Sequence, residues 1–163
     1  MKNYIRFGLM ILTSTVGMYF LMYFNILEID HFWFSESKLY MAFFMGAWMA
    51  VVMLLFMWKM YENKKINYAI LGSAVLVFGL GLYLERSQTT VQDVSYMKAM
   101  IPHHSIAILT STRAEISDPQ VRALADDIIK AQREEIAIMT QYIEELEDGD
   151  DEELRPVEEL RGN

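Results

Sequence analysis

Three long apolar runs open the chain, and after the third the pattern changes period. Residues 5–24, 39–58 and 67–84 are nearly free of charge. As helices rising 1.5 Å per residue they measure about 27–30 Å, the thickness of the hydrocarbon part of a bilayer. All three are expected to span a membrane. The first run carries Lys2 and Arg6 at its start, as a signal peptide does. It is longer than such a segment and Asn25-Ile-Leu-Glu follows it in place of a small-residue cleavage site, so it is expected to be retained. Beyond the polar linker 87–90, apolar positions recur every three or four residues, which predicts two amphipathic helices, 91–113 and 119–147. Ser117-Asp118-Pro119 marks the restart, a capping residue followed by proline in the first turn. Pro102 lies inside the first helix, frees the carbonyl of Lys98 and predicts a kink. The second helix shows the stripe Val121, Leu124, Ala125, Ile128, Met139 and Tyr142, interrupted by Gln132 and Glu135. The expected fold class is all-α: three transmembrane helices within residues 1–86, then an antiparallel helical hairpin over 87–147. Residues 148–163 read as an acidic tail without fixed structure.

Charge sharpens that division. Of 22 acids, Glu28, Asp30, Glu36 and Glu62 precede Leu84 and 18 follow it; of 14 bases, six precede it and eight follow. The distal part therefore carries about ten net negative charges, which argues against nucleic acid as a partner. Lys2 and Arg6 before the first run, and Lys59, Lys64 and Lys65 before the third, lie on one side of a three-span arrangement. The excess of cytoplasmic Lys and Arg then places the N-terminus in the cytoplasm. The hairpin falls on the outer side of a bacterial cytoplasmic membrane, in the periplasm or outside the cell. The chain has no cysteine, which excludes disulfides, Cys-zinc sites and thiol catalysis.

Within the membrane part the residues suggest packing. Met41, Met45, Met49, Met53 and Met57 form an i+4 ladder, expected to pack flexibly, without a charge or His to mark an ion path. Gly72, Ser73, Ala74, Gly79 and Gly81 would let helices approach closely. In the loop 25–38, Phe32, Trp33 and Phe34 suit a membrane interface, and Glu28 and His31 are read as solvated.

Chemistry concentrates between Asp93 and His104. At 100° per residue Asp93, Met97, Met100 and His104 share one narrow helix face, with His103 about 80° to the side. His and Asp are costly to bury alone. Thioether beside imidazole suits Cu(I), and by the same softness Ag(I). The plainer reading keeps the Met residues as core filler and lets the His pair pack locally. Counting back from a turn at Ile116 sets Met100 level with Gln132 and Met97 level with Glu135, so the polar intrusions of the second helix meet the Met and His face of the first.

These residues resemble a known bacterial family, the domain of unknown function numbered 305, a ferritin-like helical bundle. The resemblance rests on Asp93, Met97 and Met-Ile-Pro-His-His at 100–104, with Ala107-Ile108. It continues through Asp118-Pro119-Gln-Val, Leu124-Ala125, Ile128-Ile129, Ala131-Gln132, Glu135-Ile136 and Met139, over roughly a third of the chain. It implies an extracytoplasmic helical domain, here half of a four-helix bundle, and some members are associated with copper binding and tolerance.

The leading expectation is a membrane-anchored binder of Cu(I), or Ag(I), acting in sequestration or hand-off, with no organic cofactor. Its ligands are expected to be Met97, Met100, His103, His104 and Met139, and Asp93, Gln132 and Glu135 would orient them. A di-iron oxidase is disfavoured, because Glu-x-x-His pairs are missing: Met100 and Ile101 stand three before the histidines. No catalytic signature is present, so an enzyme is not expected. A lone hairpin has a small core, which predicts a homo-oligomer through the hairpin. Membrane lipid and a metal-handling protein are the other expected partners. The alternative is a non-catalytic structural or interaction module that oligomerises through the same hairpin.

Overall fold

The computed structural model describes residues 2–24, 26–147 and 154–160. Every α-helix or 3-10 turn among them belongs to an all-helical architecture, with α1 (Lys2–Leu21), α2 (Glu36–Phe56), α3 (Lys64–Ser87), α4 (Asp93–Arg113), α5 (Pro119–Glu147) and α6 (Val157–Leu160). The chain forms two compact units, Met1–Met22 with Glu36–Val91, and Tyr23–Ser35 with Gln92–Asn163. The boundaries differ from the division at 86/87 read from hydropathy. The connection after α1 groups with the C-terminal unit, and the break near the linker falls after Val91.

In the first unit α1, α2 and α3 are each long and apolar enough to cross a membrane. They end close to the expected spans. Asn63 caps α3, its side chain accepting from the N–H groups of Lys65 and Ile66 at 3.1 and 3.3 Å, and so satisfies donors that the first turn leaves without partners. Gln88 closes α3 in a left-handed conformation, φ 51°, with its N–H on Leu84 O. The buried line of α2 is Ala42, Gly46, Ala50 and Leu54, small at three of its four positions. A Cβ on Gly46 would lie 2.2 Å from Thr15 Oγ1, so α1 and α2 meet there through the missing side chain. On α3 the same role falls to Gly81, against Phe44, whereas Gly72 and Gly79 face open space. All five rungs of the Met ladder are half-buried beside the small-residue line. Fully buried Asn67 donates to Tyr61 O at 2.9 Å and accepts from the Tyr4 hydroxyl at 2.8 Å, a paired polar group of the kind a helix interface tolerates.

In the second unit α4 and α5 form an antiparallel hairpin. Asp118 caps α5, Oδ1 accepting from Gln120 N and Val121 N at 2.9 and 3.0 Å, as Ser-Asp-Pro predicts. The core joins Met97, Ile101 and Ile108 of α4 to Ile136 and Ile143 of α5, with Ile129, Leu27 and Trp33 packed on it. The inward face of α5 is therefore Ala125, Ile136 and Ile143. The expected stripe is only partly inward: Val121, Leu124 and Ile128 are 51%, 60% and 38% exposed. The turn explains this. His104 of α4 meets Glu135 of α5; nine residues separate His104 from the end of α4, and sixteen separate Glu135 from the start of α5. α5 is therefore offset along α4, while Arg122 in its first turn still donates to the Ser111 carbonyl at 3.0 Å and Ala125 stays buried. The chain leaves α4 at Ala114 in extended conformation, which gains height faster than a helix.

α4 runs as one helix through Pro102, which is buried. Trp33, expected at a membrane interface, packs on the hairpin core instead, and the Lys98 ammonium lies 5.2 Å from its ring centre. Residues 154–160 of the expected unstructured tail are placed against α5; the rest of the tail lies outside the described residues.

Gly46→Leu is expected to destabilise the first unit by about 1–3 kcal/mol, the usual cost of overpacking. Gly46→Ala with Thr15→Ala should lose less than Gly46→Leu. Unfolding in detergent micelles, followed by circular dichroism, measures both.

Candidate functional site

A cleft of about 470 Å³ runs along one side of the α4–α5 hairpin. Helix phase puts it there. Ile101 and Ile108 point α4 at α5, and the line through Met97 and His104 lies roughly 40–60° round the helix from them. On α5, Glu135 and Met139 are displaced to the same side of Ile136. Of the expected donors, Asp93, Met97, His104, Glu135 and Met139 line the cleft. Gln132 joins through Glu135, its Nε2 donating to Oε2 at 3.2 Å. Met100, half-buried, and His103, exposed, lie outside the lining. The His103 ring centre is 6.4 Å from that of His104.

The register departs from simple counting. Glu135 meets His104, where the count sets it level with Met97. Met139 packs on the core cluster that contains Met97. Met97 and His104 are about 10.5 Å apart along α4, with Met139 lining the same cleft. Asp93 is eleven residues from His104, about 16 Å along α4. That carboxylate sits at the far end of the cleft and cannot share an ion with His104.

His104 is the electrostatic centre. Glu135 Oε2 lies 3.2 Å from Nδ1. Nδ1 is buried and makes no aligned hydrogen bond, so the contact with Glu135 is electrostatic. Burial lowers the His104 pKa from its ordinary 6.5; the Glu135 charge opposes the shift and His103 adds to it. The imidazole is therefore neutral at neutral pH, the state in which it ligates metals. Among the described residues no three His, Asp or Glu side chains converge on a point. The cleft provides two thioethers and one imidazole, with the Glu135 carboxylate beside His104 and that of Asp93 at its far end.

The third histidine sits elsewhere. His31, read from sequence as solvated, has Nδ1 2.8 Å from the hydroxyl of fully buried Ser105, which also accepts from Leu27 N–H at 2.7 Å. This ties the segment Tyr23–Ser35 to α4. Sequence reasoning missed it because the partners are 74 residues apart; their shared side of a three-span arrangement was the available signal. Tyr96, Ile138 and Leu146 of the lining, and Leu154 and Val157 from beyond α5, were also missed.

The family described as "Domain of unknown function (DUF305)" matches residues 84–156. The chain is similar to the uncharacterized protein L153 of Acanthamoeba polyphaga mimivirus, 32% identical over 111 residues, which cover 67% of this chain and 71% of the relative. No solved structure matches.

Because the folded pKa of His104 is below its unfolded value, the unfolded chain binds the extra proton, and the hairpin should lose stability as pH falls through 6.5. Stability is fully present above that value. In Glu135→Gln the imidazole should titrate lower still, and in His103→Gln higher. NMR titration of the histidine ring protons reads both directions.

Proposed function

Since the chain belongs to the DUF305 family, whose description assigns no activity, we propose from the cleft itself that this is a membrane-anchored binder of Cu(I) or Ag(I), serving in sequestration or hand-off. The observation that carries this reading is the gathering of Met97, Met139 and His104 Nδ1 beside Glu135 in one cleft. Thioether and neutral imidazole match a soft ion. Glu135 places a carboxylate beside the imidazole, where it would attract a cation. Gln132 holds the Glu135 carboxylate in place, the kind of support that orients donors around a metal. The chain's own part is to bind and orient; no group in the cleft is assigned a bond-making role, and the protein is not proposed to be an enzyme.

An outward-facing site suits this role. One crossing precedes Tyr23–Ser35 and three precede the hairpin, both odd numbers, so the two segments lie on one side of a membrane. Their grouping in one compact unit supports the three-span topology, and the Lys and Arg bias assigns that side to the outside. The second reading, an interaction module, is favoured by the exposed Val121, Leu124 and Ile128. Homo-oligomerisation through this apolar edge is compatible with metal binding, and a metal-handling protein remains the proposed recipient.

Titration of the detergent-purified chain with Ag(I), or with Cu(I) against a competing chelator, tests the proposal. Met97→Leu, Met139→Leu and His104→Gln should each weaken binding at least tenfold, since leucine keeps the volume and removes the donor. Met100→Leu and His103→Asn should stay within about twofold. Equal binding by the wild type and the Met97→Leu/Met139→Leu double variant would end the metal reading in favour of the interaction module.

A further inference from the structure

The cleft has a wall that does not come from the hairpin. Leu154 and Val157 line it beside Tyr142 and Leu146. Two polar contacts hold their segment. The Tyr142 hydroxyl donates to the Arg155 carbonyl at 2.5 Å, and the Arg155 guanidinium pairs with Glu145 at 2.5 Å. The segment is amphipathic: Val157 and Leu160 are half-buried, whereas Glu158 and Glu159 are exposed. We propose that residues 154–160 act as a strap in cis, docked in the cleft on the side of Met97 and Met139 and governing access to it.

Three observations support this occupant and this role. The polar contacts are of two kinds, a hydroxyl to backbone and an ion pair, and both fall on the last two turns of α5, where Leu154 and Val157 share the cleft lining with Leu146. The strap side chains are separate from the metal donors, so they can close the cleft without taking part in binding. The attachment is also weak by construction. The Arg155 side chain is 55% exposed in its ion pair, and such a pair adds little in water and less in salt. A closing element has to be drawn from the low-stability end of a structure if it is to open.

The strap stands on this geometry alone; its consequence for metal exchange rests on the metal reading above. The test uses the full chain in detergent and the triple variant Leu154→Ser/Arg155→Ala/Val157→Ser, which leaves α4 and α5 intact. Dilute hydrogen peroxide converts accessible methionines to sulfoxides, and peptide mass spectrometry reads Met97, Met139 and Met100 separately. The variant should oxidise at Met97 and Met139 at least twofold faster, with Met100, outside the lining, changed less than twofold. Rates at Met97 and Met139 that rise less than twofold, or a matching rise at Met100, would overturn the strap. Protection in the wild type that disappears on dilution would show that another copy supplies the segment, which overturns the assignment in cis. In a second arm, Ag(I) should leave the variant faster than the wild type. No Ag(I) binding by the wild type with the oxidation difference intact would sink the metal reading and leave the strap standing.

Discussion

Four isoleucines set the geometry of the C-terminal unit. Ile101 and Ile108 on α4 pack against Ile136 and Ile143 on α5, and each buried side chain of this size contributes about 1.5–3 kcal/mol. The spacing of seven on both helices keeps the seam facing inward over two turns. Its rotational setting then decides where everything else points. Met97 and His104 are themselves seven apart, so they form a second line parallel to the isoleucines and displaced towards the rim. The site is thus a by-product of core packing: a face with apolar residues at its centre necessarily turns its neighbours to one edge.

The electrostatics of that edge follow from partial burial. A histidine fully in water would keep its ordinary pKa, and one paired squarely with a carboxylate would be held charged. His104 is between these limits. Desolvation outweighs Glu135, whose carboxylate is nearby but poorly aligned and is shared with Gln132. Burial thus keeps the imidazole neutral beside that carboxylate. With no cysteine in the chain, thioethers are the only sulfur donors, and they need no deprotonation at all.

The membrane unit follows a different logic. Lipid is as apolar as leucine, so burial of large side chains gives little drive to associate. α2 accordingly buries a line of small residues and approaches α1 at Gly46 and α3 at Gly81. The Met ladder borders that line without entering it. Five half-buried thioethers on a flexible side chain are what an irregular helix interface uses to fill gaps.

Element type and order were legible in the sequence. Three apolar runs of bilayer length, then a change to 3.6-residue periodicity, leave little freedom, because the chain must pair its backbone within each span and bury one stripe of each later helix. Asp118-Pro119 announced the start of α5 by local chemistry alone. Which soft donors share a cleft was not legible. Helix periodicity places residues on a face but says nothing of how far one helix slides along another. The register found in the structure brings Glu135 to His104 and leaves Val121 and Leu124 exposed. The same limit hid the link between His31 and Ser105 and the docking of Leu154 and Val157. Contacts between distant segments depend on packing in three dimensions, which a linear pattern does not encode.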